Sequence, residues 1–167
     1  MKKAIGIDLG TTNSAVAIKT KNPEVIRNSE NEELTRSCVG SLNGELIVGK
    51  HAFSVLLKKK PEDLILSIKR LMGGTINDPM VKKMIFETEN AFSYYKYGIA
   101  ELKGGTNGAI AVILNGKQYT PEQISAEILK KLKNDFEIKE GEVTHAVITV
   151  PAYFTEKQKN ATRIAAN

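Results

Sequence analysis

The sequence predicts an α/β protein in which short strands are combined with capped amphipathic helices. Residues 4–18 predict a β-hairpin, with an apolar strand, a polar glycine turn and a returning strand. Residues 146–150 form a second apolar strand pattern that Pro151 closes. Capping boxes at Thr120 and Thr155 mark the starts of two helices. Together these patterns favour a mixed sheet with flanking helices.

The strands expected after the hairpin are short and lie around residues 25–26, 38–39 and 45–48. Residues 44–50 also spell G-x-x-x-x-G-K, the start of a Walker-type phosphate loop. His51 stands where that motif needs Ser or Thr, and the four intervening residues are apolar and strand-prone. We therefore predict a strand that ends at Gly49.

The middle of the chain predicts two helices followed by a mostly β region. Residues 52–57 are expected to be helical, and a second helix is expected after Pro61, ended by Gly73 and Gly74. The apolar stripe of that second helix would consist of Leu64, Ile65, Ile68, Leu71 and Met72. Residues 75–118 predict strands at 94–102 and 109–114, with a hairpin turn at 115–116.

The helix that begins after Thr120 should bury one face. Its apolar positions are Ile124, Ile128, Leu129, Leu132 and Phe136. The last predicted helix, after Thr155, is still running at Asn167. We expect the chain to be a piece of a longer protein.

Composition excludes several classes of partner. The 167 residues include 24 Lys and Arg and 19 Asp and Glu. No basic patch is interleaved with aromatic residues. No apolar run is long enough to span a bilayer. We therefore expect neither nucleic acid nor membrane as a partner. The absence of a secretory segment at residues 1–5 and the single cysteine, Cys38, favour a cytoplasmic location.

The hairpin turn has the composition of a phosphate-binding loop. Asp8 ends the first strand and has the carboxylate that a hydrated Mg²⁺ prefers. Gly10 permits a tight turn and the close approach of a ligand, and Thr11 and Thr12 add hydroxyl donors. On these residues alone, an ordinary hairpin with a polar turn remains an alternative.

The remaining reactive side chains are isolated in the sequence. His51 and His145 have no neighbours at metal-ligand spacing, so we interpret them as ordinary core or surface histidines. Cys38 has no evident catalytic partner and is interpreted as a buried structural thiol.

Five segments in the right order resemble the Hsp70 (DnaK) chaperone family. They are residues 5–14, 48–50, 67–73, 123–127 and 146–154. The resemblance implies the first lobe of an actin-like, ribonuclease H-like ATPase fold. In this interpretation, residues 1–37 and 119–167 form the core subdomain and residues 38–118 a smaller α+β subdomain.

The resemblance also implies roles for individual residues. Asp8 would contact the hydration shell of Mg²⁺, and Lys69 would lie near the γ-phosphate of ATP and the attacking water. The turn that holds the β- and γ-phosphates of ATP or ADP would consist of Gly10, Thr11, Thr12 and Asn13. Without the family context, a solvated lysine at a helix end is the favoured interpretation of Lys69.

Three features depart from the family pattern. Pro151 resembles a proline that couples nucleotide state to the substrate domain, but Lys159 stands where its arginine partner is usual. A lysine cannot make the bidentate contacts of an arginine, which puts interdomain signalling in doubt. Arg36 replaces a common proline, and residues 87–108 are longer and more aromatic than the family pattern.

The leading functional hypothesis is thus half of the nucleotide-binding domain of a stress-response chaperone. In the whole protein, ATP hydrolysis would control the binding of unfolded, hydrophobic peptide segments, together with J-domain and nucleotide-exchange cochaperones. The chain alone is expected to hydrolyse ATP weakly or not at all, because much of the site lies elsewhere. The alternatives are a lobe of a sugar-kinase-like phosphotransferase and a non-enzymatic interaction module.

Overall fold

The computed structural model describes residues 3–89 and 95–167 as a mixed α/β arrangement. The strands are β1 (Lys3–Asp8), β2 (Asn13–Lys19), β3 (Pro23–Ile26), β4 (Thr35–Arg36), β5 (Cys38–Leu42), β6 (Glu45–Val48), β7 (Leu64–Leu66), β8 (Gly98–Glu101), β9 (Ile110–Leu114), β10 (Lys117–Tyr119) and β11 (Val143–Thr149). The α-helices are α1 (Lys50–Lys59), α2 (Pro79–Glu89), α3 (Pro121–Glu140) and α4 (Glu156–Ala166). Single 3-10 turns lie at Pro61–Asp63 and Ile68–Arg70.

The predicted hairpin and the predicted strand near residue 146 lie side by side in one sheet. Its strand order is β11-β1-β2-β3, and β4 also pairs with β2. The β1–β2 pair is antiparallel, whereas β1 and β11 are parallel, with Asp8 opposite Thr149. Because parallel strands end at the same edge of a sheet, the carboxyl ends of β1 and β11 meet.

Two smaller antiparallel sheets complete the described β structure. Their strand orders are β6-β5-β7 and β10-β9-β8. The strand predicted at residues 45–48 is present and is followed directly by α1, so the phosphate-loop reading of residues 44–50 is excluded by the structure. Between β9 and β10, Asn115 and Gly116 have φ values of 48° and 71°. These left-handed values are those of the tight hairpin turn that the sequence predicts.

Helix α3 joins the main sheet to the smaller sheets. Its capping box is formed as predicted: the Thr120 hydroxyl accepts the Gln123 N–H, and the Gln123 side chain accepts the Thr120 N–H. The five predicted apolar positions of α3 are all buried. They pack with apolar residues from β1, β2, β5, β7 and β9 in a single core cluster.

The helix predicted after Pro61 is wrong. Residues 61–63 form one 3-10 turn, β7 follows, and residues 68–70 form another 3-10 turn. All three residues of β7 are buried, and the strand pairs with β5. A short apolar run fits either periodicity, and here pairing with a neighbouring strand decides the outcome.

The prediction that residues 75–118 are mostly β structure is wrong for Pro79–Glu89, which form helix α2. The signal for this helix was Asp78-Pro79, followed by apolar Val81, Met84 and Ile85 at helical spacing. The predicted strand at 94–102 begins instead at Gly98, and residue 94 lies outside the described residues. The strand predicted at 109–114 is present as β9.

Candidate functional site

The turn between β1 and β2 is tight because the backbone passes over Gly10 at close range. A Cβ atom at Gly10 would lie 1.9 Å from the carbonyl oxygen of Asn13. The Gly10 N–H donates to Ser14 Oγ at 3.1 Å. Glycine is therefore required here by the close approach of the chain to itself.

Two buried serines brace this turn from behind. Ser14 Oγ lies 2.8 Å from Ser37 Oγ, and the Ser37 N–H donates to the carbonyl oxygen of Thr12 at 2.8 Å. Sequence reasoning did not mark either serine. The available signal was Ser14 at an inward-facing position of β2, where an alternating strand normally carries an apolar side chain.

The side chains on the outer side of the turn are open to a ligand. Among the described residues, none donates a hydrogen bond to or accepts one from the side chains of Thr11, Thr12 and Asn13. Thr11 is half-buried, whereas Thr12 and Asn13 are exposed. Two hydroxyls and an amide are thus available beside the turn.

Asp8 lies at the edge where the parallel strands end. Its carboxylate is exposed, and Thr149 Oγ1 donates to Asp8 Oδ1 at 3.1 Å. Thr149 is a site neighbour that sequence reasoning missed, because only the register of β1 against β11 reveals it. The second carboxylate oxygen has no hydrogen-bond partner among the described residues.

Lys69 reaches the hairpin from the 3-10 turn at Ile68–Arg70. Its Nζ donates to the carbonyl oxygen of Leu9 at 2.6 Å and lies 5.4 Å from the centroid of the Phe154 ring. Partial burial lowers the pKa of the Lys69 ammonium, and the negative charge of Asp8 opposes that shift. The structure thus brings Asp8, Lys69 and the hairpin turn to one place.

Pro151 follows directly after the end of β11, and Lys159 lines a groove that also contains Ile148 and Val150. The Pro151 carbonyl oxygen accepts the Phe154 N–H at 3.0 Å, and the Phe154 ring is buried. The Lys159 ammonium donates to Glu156 within α4 at 2.8 Å. The ion pair that the structure shows for Lys159 therefore lies within its own helix.

The cysteine and the two histidines of the chain differ in their relation to this site: Cys38 lines the cleft beside Thr11 and Thr12, whereas His51 and His145 do not. Cys38 is buried and donates to the carbonyl oxygen of Gly49, and its burial raises the thiol pKa to about 11. The predicted burial of this thiol is confirmed. His51 and His145 are exposed, and the described residues contain no cluster of His, Cys, Asp and Glu that could hold a metal ion. Among the described helices, none is both long and apolar enough to cross a bilayer.

In a comparison with known protein families, residues 4–167 match the family described as Hsp70 protein. This family is a nucleotide-binding ATPase with an actin-like fold, and its members generally bind unfolded peptides and cochaperones. The sugar-kinase alternative receives no support. The match covers nearly every residue from β1 to the end of α4, including the whole candidate site, and the chain therefore belongs to the Hsp70 family as an N-terminal nucleotide-binding portion of an Hsp70-type chaperone.

Proposed function

We propose that the hairpin turn, Asp8 and Lys69 together bind the β- and γ-phosphates of ATP or ADP with Mg²⁺. The observation that carries this proposal is the 2.6 Å hydrogen bond from Lys69 Nζ to the Leu9 carbonyl oxygen. It joins residues 60 positions apart in the sequence and holds an ammonium beside the glycine turn. A cation fixed at such a turn favours a multiply charged anion.

The surroundings of the turn are suited to phosphate oxygens. The hydroxyls of Thr11 and Thr12 are available as donors, and both residues line a cleft of about 130 Å³. Arg36 and Arg70 also line this cleft, and no carboxylate does so among the described residues. Two guanidinium-bearing side chains therefore line the same cleft as the hydroxyls of the turn.

Asp8 has the properties of a magnesium-shell ligand. Its exposed carboxylate keeps one oxygen free while Thr149 orients the other. Bound Mg²⁺ would supply positive charge to the phosphate oxygens. Oxygen ligands from one carboxylate with several retained waters are usual for Mg²⁺ beside phosphates. Within the described part of the chain, Asp8 would be the carboxylate that holds such a hydrated ion.

Lys69 would neutralise charge that develops on the γ-phosphate during hydrolysis. Phosphoryl transfer needs little covalent assistance, so positioning and charge neutralisation are the main contributions of the protein. Because the ammonium is partly removed from water, it attracts a phosphate more strongly than a solvated lysine does. The Leu9 carbonyl keeps the ammonium in place before the nucleotide arrives.

The wider role proposed for the protein follows from its family. ATP hydrolysis in the whole protein would control binding of unfolded peptide segments, assisted by J-domain and nucleotide-exchange cochaperones. Four further statements stay predictions from the sequence. They are the coupling role of Pro151 and Lys159, the division into subdomains 1–37 with 119–167 and 38–118, the DnaK-type stress role and the cytoplasmic location. Weak or absent hydrolysis by this chain alone is likewise a prediction.

Calorimetric titration with Mg·ATP tests the phosphate site. We expect measurable binding to the chain and at least tenfold weaker binding by Asp8→Ala and by Lys69→Ala, about 1.4 kcal/mol each. Lys117→Ala removes an exposed lysine of β10 and should leave the affinity unchanged. Thermal unfolding of each variant establishes that it is folded. A folded chain that binds no Mg·ATP, or binds it equally well without Lys69, would contradict a preformed phosphate site.

A further inference from the structure

A buried tyrosine holds the short turn that carries Lys69. We propose that Tyr97 is a positioning residue: its phenol fixes the turn after β7 and thereby places the Lys69 ammonium at the hairpin. The inference rests on the phosphate role proposed above for Lys69. It also gives a role to part of residues 87–108, the segment that departs most from the family pattern.

Tyr97 makes a direct hydrogen bond to the residue just before the turn, in a position buried from solvent. Tyr97 is 0% exposed, and its hydroxyl donates to the carbonyl oxygen of Leu66 at 2.7 Å. Leu66 is the last residue of β7, and Lys69 follows three positions later. A buried carbonyl without a donor is costly, so this hydrogen bond defines where β7 ends and the turn begins.

The local backbone of the turn contributes little to its own stability. Ser67 adopts a left-handed conformation with φ 55°, which is unusual for a residue with a side chain. The following 3-10 turn has the hydrogen bonds Arg70 N–H to Ser67 and Leu71 N–H to Ile68, at 3.0 and 2.9 Å. Such a conformation persists only where the surrounding structure determines it strongly.

Tyr95 adds a second contact from the same segment. Its hydroxyl donates to Ser67 Oγ at 3.4 Å, at the left-handed residue itself. The rings of Tyr95 and Tyr97 meet edge to face with centroids 6.3 Å apart. The two tyrosines therefore contact successive residues, Leu66 and Ser67, immediately before the turn.

The Lys69 side chain, in turn, is joined to the hairpin by its hydrogen bond to the Leu9 carbonyl oxygen. The turn is thus attached at two polar points, by the Tyr97 phenol at Leu66 and by the Leu9 carbonyl at Lys69. If the Tyr97 bond is lost, the buried side chains of Ile68 and Leu71 still hold the turn in the core, but the bond to Leu9 becomes the one remaining polar contact of the two that positions the lysine. A tyrosine that only filled the core would stabilise the fold but would not act through Lys69.

The first experiment measures local order without nucleotide. Tyr97→Phe keeps the ring and removes the hydroxyl. We expect the amides of Arg70 and Leu71 to exchange with deuterium at least tenfold faster, and the Lys69 ammonium protons to exchange faster with water in ¹⁵N NMR spectra. The matched control is Tyr119→Phe, which removes a half-buried phenol on β10 and should change neither rate. Equal acceleration of all amides, or none at this turn, would overturn the proposal.

The second experiment asks whether Tyr97 acts through Lys69. We expect Tyr97→Phe to weaken Mg·ATP binding about fivefold in the parent chain and not at all when Lys69→Ala is already present. Additive effects would overturn the positioning role. If Lys69→Ala itself leaves Mg·ATP binding unchanged, the proposed phosphate function fails. The exchange rates still decide whether Tyr97 fixes the turn, so the two failures are distinguishable.

Discussion

At the scale of single residues, Gly10 is the position of the turn that tolerates least change. Gly10→Ala would place a methyl group 1.9 Å from the Asn13 carbonyl oxygen, so the backbone has to move. We expect a loss of about 2 kcal/mol in the free energy of unfolding, together with at least tenfold weaker Mg·ATP binding. Urea denaturation and calorimetry measure the two effects.

Gly6, on β1 just before the turn, offers a matched control. The nearest atom to a Cβ at Gly6 is the Ala17 carbonyl oxygen, at 3.8 Å, which is ordinary van der Waals contact. Gly6→Ala should therefore leave stability and nucleotide binding close to those of the parent chain. Equal losses for the two substitutions would show that the close approach at Gly10 does not limit the turn.

The same scale shows which site residues a sequence can reveal. Asp8 and Gly10 belong to one contiguous motif, whose residue types are demanded by local turn geometry and by phosphate chemistry. Thr149 is 141 residues away from Asp8, and the bond between them depends on strand register. The Leu9 carbonyl, which receives Lys69, has no side-chain signature at all. Contacts of this kind require the folded chain.

At the scale of elements, long capped segments were predictable and short apolar runs were not. Helix α3 has 20 residues, a capping box and a repeating apolar face, and each signal favours the same structure. Residues 64–66 fit both a helical stripe and a buried strand. Pairing with β5 selects the strand, and no residue within the segment encodes that pairing by itself.

Asp78, just before α2, makes the stability of this element depend on pH. Its carboxylate accepts the Thr75 N–H at 2.8 Å and the Thr75 hydroxyl at 2.9 Å, and these bonds hold the Asp78 pKa below its usual range. A lowered pKa in the folded state stabilises the protein above the ordinary carboxyl pKa. That contribution is lost as the pH falls through the folded-state pKa.

Replacing the carboxylate tests this dependence. We expect Asp78→Asn to lower the free energy of unfolding by about 1 kcal/mol at pH 7, with a difference that shrinks below about pH 4. Urea denaturation across this pH range measures it. Glu101→Gln is the control, because the Glu101 carboxylate accepts no hydrogen bond among the described residues. A difference for Asp78→Asn that stays constant with pH would contradict the assignment.

At the scale of the whole molecule, we expect α3 to make the sheets unfold as a single cooperative unit. It contacts β2 and β11 of the main sheet, strands of both smaller sheets, and the 3-10 turn of Lys69. A cavity within α3 should therefore weaken the whole chain and not one sheet alone. This follows because close-packed interiors transmit local changes.

Two isoleucines of α3 test this statement. Ile128 is 0% exposed and Ile138 is 79% exposed. Ile128→Ala should lower the free energy of unfolding by about 3 kcal/mol in one cooperative transition, whereas Ile138→Ala should cost less than about 0.5 kcal/mol. Circular dichroism and tyrosine fluorescence, followed in the same urea titration, would reveal separate transitions if the sheets unfold independently.

The parallel pairing of β1 with β11 delays the completion of the main sheet during synthesis of the chain. Asp8 and its partner Thr149 are 141 residues apart in the chain, so the strand that flanks Asp8 is synthesised long after β1. At about 5–20 residues per second, this delay is on the order of 7–30 s. During that interval one edge of β1 has no neighbour, and its backbone amides and carbonyls can pair with any extended chain nearby. During synthesis, this member of a chaperone family therefore exposes an unpaired edge of β1, a feature that in other proteins leads to misassembly.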